Sequence, residues 1–350
     1  LNARKALFSD GVFRRSNPIE ESPLPSAAKK KKKAKKPSKS TAKKRKAIGI
    51  ILGLFVVVIL CGEAVFFMKG QINIPRDYPV QLTGSFKGDN QACGPFAPWD
   101  IKSGADWIAM TDQPRERILI FDLAGHYLRQ IDTKAAGKPD FKEISCLATD
   151  GQKMIYVMDT WNALIRNFDV DSGKPKGILD MSAKGMFGPR GVGYDDGNFI
   201  VDDTGTHRVV KISPSGEILG AWDGAGGKEK LLNPIASVVD AQGRIYVAHE
   251  HGLKVLDPAG KCIQDDESLP VNDVAVDAQG VIYAAMRDTG NVKVFNALGK
   301  YVGTLSNAGQ KGQDIDGVRA LTILPGGDLA CVRGGEVDFY HPAPSAAASH

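Results

Sequence analysis

The chain has 350 residues and a formal net charge of +5, but that average joins two oppositely charged parts. Residues 1–46 carry sixteen Lys or Arg against three acidic residues, a net +13, whereas residues 69–350 carry 29 against 36, a net −7. The apolar stretch between them rules out a simple soluble enzyme, and a hydrophobic content of 43% rules out a disordered chain.

In chain order, residues 1–46 read as a basic tail, largely disordered. Lys29–Lys46 holds twelve cations in eighteen residues. Ala47–Met68, AIGIILGLFVVVILCGEAVFFM, carries a single charge, Glu63. At about 1.5 Å per residue these 22 residues span roughly 33 Å as a helix, enough for one crossing of a bilayer core of about 30 Å. Glu63 falls near the outer end, where it snorkels to headgroups or faces a partner helix. The positive-inside rule places the N-terminus in the cytoplasm and the body outside. The basic region is too long for a signal peptide. Leu60 before Cys61 is too bulky for a lipoprotein site, so an uncleaved single-pass anchor is expected. Lys43, Lys44, Arg45 and Lys46 lie directly against this span and are assigned to anionic headgroups, at about 1 kcal/mol per cation. The rival reading, a nucleic-acid arm, lacks aromatic residues interleaved for base stacking.

Residues 69–77 read as a linker and 78–342 as the body, with a flexible tail at 343–350. The body repeats one sentence six times. Its third strands and closing turns are RILIFDLAG, LIRNFDVDSG, RVVKISPSG, LKVLDPAG, VKVFNALG and EVDFYHP. Five of them close on Gly125, Gly173, Gly216, Gly260 and Gly299, spaced 48, 43, 44 and 39 residues apart. Each unit offers three or four short strands between Gly, Asp and Pro turns, with no helical stretch. That is the period of a β-propeller blade, and six units fit between Pro79 and Pro342. The sixth stops after its third strand, so Tyr78–Phe86, YPVQLTGSF, is expected to supply the missing fourth strand and close the ring.

The repeat resembles the NHL family of propellers, whose blades read GVAVDxxGxIYVADTGNHRVxVFDxxGxxL. The best matches are Gly188–Leu219 and Val271–Val302. The resemblance covers about three quarters of the chain. It implies an all-β, six-bladed NHL-like propeller, preceded here by the transmembrane α-helix and basic tail expected from hydropathy and charge, and says little of function, because the repeated glycines and Asp-Thr turns serve the blade.

Propellers of this shape include lyases and ester or lactone hydrolases with a metal in the channel, a chemistry that would need clustered ligands. His249 and His251, in VAHEHGLKV, form the one clustered pair. On an extended strand both imidazoles would share a side, a weak candidate for Zn²⁺ or Cu²⁺ with no third ligand. His207 reads as a turn residue. Asp112/Arg117 and Asp203/Arg208 recur at a spacing of five and read as structural ion pairs. Zincin, P-loop and G-x-S-x-G motifs are missing, and no catalytic residue or cofactor is assigned. Cys146 and Cys331 fall in strands and read as buried thiols, Cys93 and Cys262 near turns. Six polar turns between second and third strands gather on one face. Among them Trp161, Arg115, His249 and His251 are the candidate partner-binding residues.

The expectation is a non-catalytic interaction or scaffold module, an accessory subunit of a larger envelope complex, partnered by membrane or periplasmic proteins. A metal-dependent hydrolase or lyase is the alternative. The net −7 body disfavours nucleic acid. Twelve Asn without one N-x-S/T site favour a bacterial inner membrane and periplasm.

Overall fold

The computed structural model describes residues 77–133, 139–266, 270–297, 299–308 and 313–342. The basic tail, the expected anchor at 47–68, residues 69–76 of the linker and the tail at 343–350 lie outside the described residues. Among the described residues no helix is long and apolar enough to cross a membrane. Strand β1 spans Asp77–Lys87, so Asp77 belongs to the body and not to the linker.

Among the described residues twenty-three further strands follow, almost all in meanders. The first sheet contains β2 (Ile101–Ser103), β3 (Trp107–Asp112), β4 (Arg117–Asp122) and β5 (Tyr127–Asp132). The second contains β6 (Ile144–Thr149), β7 (Met154–Asp159), β8 (Leu164–Asp169) and β9 (Pro175–Asp180). The third holds β10 (Gly191–Asp195), β11 (Asn198–Asp203), β12 (Arg208–Ile212) and β13 (Ile218–Trp222). The fourth holds β14 (Ala236–Val239), β15 (Ile245–His249), β16 (Gly252–Leu256) and β17 (Cys262–Asp266). The remaining strands form one eight-stranded sheet. Half of it is the meander β18 (Val271–Val276), β19 (Ile282–Met286), β20 (Val292–Phe295) and β21 (Tyr301–Asn307). The other half is β22 (Val318–Ile323), β23 (Leu329–Arg333) and β24 (Glu336–Pro342), with β1 beyond β24.

First strands pack side by side: β2 by β6, β6 by β10, β10 by β14, β14 by β18, β18 by β22, and β22 by β2. The row closes on itself, which is the arrangement of an all-β propeller. Sheets stacked face to face bury their second strands on both sides, so β3, β15 and β19 are buried along their whole length. This is why these segments read as continuous apolar runs rather than alternations. Outermost strands such as β9 bury a single residue fully and expose most of the rest.

Turns on one end of the ring are fixed by their own acids. Asp150 Oδ1 accepts the backbone N–H groups of Gln152, Lys153 and Met154, and Asp240, Asp257 and Asp277 do the same two and four residues on. Such Asx turns explain why Asp and Gly punctuate the repeat.

Strand β1 pairs antiparallel with β24 from Val80 opposite Pro342 to Lys87 opposite Glu336, with one irregularity between Leu82 and Gly84. Its first four residues also pair in parallel with Thr304–Asn307 of β21. Two aromatics anchor it. Tyr78 meets Tyr283 edge-on at 6.2 Å, and Phe86 lies 5.6 Å from Phe339 and 4.8 Å from Phe121 of the first sheet. Gly125 admits that last contact, because a Cβ there would stand 2.5 Å from the Phe86 ring, and its φ of +85° also favours glycine.

Phe86→Ala is expected to cost about 3–5 kcal/mol, read as a lowered thermal midpoint by circular dichroism. Removing residues 78–86 should abolish the cooperative melt; an unchanged transition would show that β1 is dispensable.

Candidate functional site

The face that carries the turns between second and third strands is organised by a repeated clamp. A buried Asp ends the second strand, accepts a backbone N–H from the link preceding the first strand, and pairs with an Arg of the third strand. Asp112 accepts from Ala97 N–H at 3.2 Å and from Arg117 Nε at 2.8 Å. Asp203 accepts from Phe187 N–H at 2.7 Å and from Arg208 Nε at 3.0 Å. Asp159 accepts from Lys142 and Glu143 N–H, and from Arg166 Nη2 at 3.1 Å. In that sheet the Arg comes from the third position of its strand and stacks over Phe141 at 4.2 Å. All three carboxylates are buried, and a buried charge persists only when paired and hydrogen-bonded in this way. The recurring spacing of five is therefore structural.

His249 ends the second strand of the fourth sheet, where the first three sheets have Asp, and no Arg accompanies it. It is fully buried, so it presents nothing to a partner. Its Nδ1 accepts two long bonds, from Leu232 N–H at 3.5 Å and His251 N–H at 3.4 Å. Burial first, then the Lys254 ammonium, hold its pKa down to about 4. The strand ends at His249, so the pair is not a continuous extended H-x-H. The ring centroids are 6.1 Å apart and inclined by 57°. His251, in the turn, pairs instead with Glu229 at 2.9 Å. Among the described residues no three His, Cys, Asp or Glu side chains are grouped to hold a metal. His207 takes a left-handed turn conformation and accepts from Asn233 N–H.

None of Cys93, Cys146, Cys262 and Cys331 forms a disulfide. Cys262 begins strand β17 just past the turn that closes on Gly260, and is buried.

Exposed large apolar side chains divide by type. The aliphatic ones, Leu82, Leu128, Ile178, Ile218, Leu219 and Ile263, all lie on outermost strands. The aromatic ones are Trp99, Trp161 and Phe187, at 41%, 66% and 70% exposure. All three fall on the turn-bearing face: Trp161 in the turn after β7, Phe187 over Gly205 in the turn after β11, and Trp99 just before β2. Arg115 shares this face but is partly held by Asp112 at 3.1 Å.

At the centre of that face the first strands leave a cavity of about 90 Å³. Every first strand, or the residues leading into it, contributes to the lining, including Trp99, Glu143, Arg190, Ile235, Asn272 and Arg319. Asp100 and Asp273 form its inner wall. Asp100 accepts from Ile101 N–H, from Lys102 Nζ at 2.8 Å and, across the sheet boundary, from Leu147 N–H at 2.7 Å. Asp273 repeats this with Val274 N–H and Leu321 N–H, and stands 3.7 Å from Lys102. Against its burial, Asp100 and Asp273 hold the Lys102 ammonium above its ordinary pKa. Burial raises Asp273 to about 6, Lys102 opposing the shift.

Beside the cavity, Ser237 of β14 donates to Asp202 Oδ1 of β11, while Asp202 Oδ2 is buried without a partner. Gly191 leaves room for it, since a Cβ there would lie 1.9 Å from Oδ2. Burial pushes Asp202 up to about 7, with the Ser237 bond opposing. Nothing in the sequence separated Asp202 from its neighbour Asp203, because the difference is one of burial and pairing.

No family model matches the chain, and no curated protein matches it. Among solved structures it is similar to one described as a streptogramin B lyase structure. Identity is 12%, the TM-score is 0.54, and the alignment covers 74% of this chain and 98% of that one. At that identity the likeness shows the fold alone, a β-propeller.

Asp202 and His249 bend the pH–stability curve in opposite senses. Asp202 binds its proton more tightly when folded, so its contribution falls as pH rises from 3.8 to about 7. His249 binds its proton less tightly when folded, so its contribution is lost as pH falls from 6.5 to about 4. Asp202→Asn should raise the thermal midpoint by about 5 °C at pH 8 and leave it unchanged at pH 4. His249→Asn should remove part of the loss on acidification. Parallel melting curves for wild type and variants across this range would refute both assignments.

Proposed function

We propose that this protein is a non-catalytic interaction or scaffold module, an accessory subunit of a larger envelope complex. The body is taken as a six-bladed, NHL-like propeller, the eight-stranded sheet counting as two blades joined where β21 and β1 run in parallel. The closed row of first strands supports that count. Residues 47–68 are proposed as a single-pass anchor in a bacterial inner membrane, N-terminus in the cytoplasm and propeller in the periplasm. Lys43, Lys44, Arg45 and Lys46 would rest on anionic headgroups.

The observation that carries the docking role is the segregation of exposed aromatics to one face. Large, amphipathic and rigid, such side chains anchor protein interfaces at low entropic cost. Trp161 and Phe187 are the primary anchors, with Trp99, Arg115 and His251 around them. The clamps beneath hold this surface stiff, so a partner would meet a prearranged face.

The alternative, hydrolase or lyase chemistry in the channel, draws on the named activity of the structural neighbour and on the cavity at the ring's centre. A photo-crosslinking residue placed at position 161 or 187 of the full-length protein in its native membrane separates the two readings. Adducts to one and the same protein from both positions, and none from position 263 on the perimeter, are expected. Trp161→Ala with Phe187→Ala should weaken the association about tenfold or more. A lone monomer without adducts, carrying stoichiometric metal and cleaving esters or lactones, would overturn the docking role.

A further inference from the structure

Three first strands share an irregularity. Their register against the second strand slips between Ile144 and Cys146, between Val271 and Asp273, and between Val318 and Ala320. The residues passed over are Ser145, Asn272 and Arg319, and each lines the central cavity. A β-bulge frees one residue from the ladder and re-aims its side chain. The same device, in the same place in three of the six first strands, therefore serves the cavity rather than the sheet.

The charges there are unevenly committed. Asp100 and Asp273 have both oxygens occupied by backbone N–H groups and by Lys102. Arg287 Nε donates to Asn272 Oδ1 at 3.2 Å. Arg319 is half-buried, with its guanidinium carbon 3.1 Å from the centroid of the Trp99 ring. Among the described residues no carboxylate pairs with Arg319 or with Arg190. Burial lowers the Arg319 pKa, with the Asp100 carboxylate opposing the shift. The half-buried Arg319 and the exposed Arg190 thus both have donors open to an anion at the channel mouth.

We propose that the channel mouth is a binding site for a small oxyanion, a carboxylate or a phosphate, gripped by the guanidinium groups of Arg319 and Arg190. Trp99 fixes the plane of Arg319 for a forked contact of the kind guanidinium makes with carboxylate and phosphate. A cavity of about 90 Å³ has room for an ion the size of acetate or inorganic phosphate. The Glu143 carboxylate also lines it, so a monoanion suits the site better than a polyanion. This site shares Trp99 with the docking face but does not rest on the docking role, and survives if that role fails.

The test is calorimetric titration of the full-length protein in a nonionic detergent and chloride buffer, with sodium acetate and with inorganic phosphate separately. One saturable site with a Kd of about 1 mM or tighter for either ion is expected. Saturation by acetate alone identifies a carboxylate ligand, and saturation by phosphate alone identifies a phosphate ligand. Arg319→Gln and Arg190→Gln should each weaken binding about tenfold, while Lys174→Gln, the same charge change on a distant turn, should leave it intact. Arg190 is exposed, so its variant remains informative even if Arg319→Gln fails to fold. The proposal is overturned if neither ion saturates by about 20 mM, or if Arg190→Gln binds as wild type does.

Discussion

A ring of sheets made from one chain must close somewhere, and here it closes on the pairing of β1 with β24. Without β1, β24 would end the row with an unpaired edge of seven residues, Glu336–Pro342, the kind of edge that invites association with other strands. The closing strand does more than cap it. Tyr78 reaches the core shared by β19 and β23, whereas Phe86 reaches the core of the first sheet. One strand thus fastens three neighbouring units, and the geometry of the cavity at the centre depends on that fastening.

Much of this architecture was legible in the sequence because the signals are local. Closing glycines mark positive-φ turns, and Asp112/Arg117 and Asp203/Arg208 are bonded within one turn. The cavity was not legible. A bulge is a relation between two strands, so Ser145, Asn272 and Arg319 look like ordinary strand residues until the partner's register is known. His249 shows the opposite failure. Its pairing with His251 suggested a ligand set, yet it occupies the slot of a clamp carboxylate, while Lys254, in the Arg position five residues on, pairs with Asp265 instead. The second sheet hides its clamp for a different reason: Arg166 enters two residues later than the repeat spacing would place it.

The two ends of the ring use their acids differently. On the end bearing the Asx turns, Asp150, Asp240, Asp257 and Asp277 are folded back on their own backbone. On the other end, Asp112, Asp159 and Asp203 are buried as supports beneath the exposed aromatics Trp99, Trp161 and Phe187. The contrast follows from turn chemistry on one end and inter-sheet support on the other, and it gives an otherwise repetitive body a front and a back.

The order of the strands has a consequence in time. Thr83 and Phe339 are hydrogen-bonded across 256 positions of the chain. During synthesis β1 leaves the ribosome ahead of every other described strand and finds its partner only after β24 has emerged. At about 5–20 residues per second that wait lasts roughly 10–50 s. Through that interval the four central sheets can form as local meanders, while an aromatic-bearing strand stands unpaired. The last long-range pairing open to this molecule is thus that of β1, whose Tyr78 and Phe86 wait for Tyr283 of β19 and Phe339 of β24.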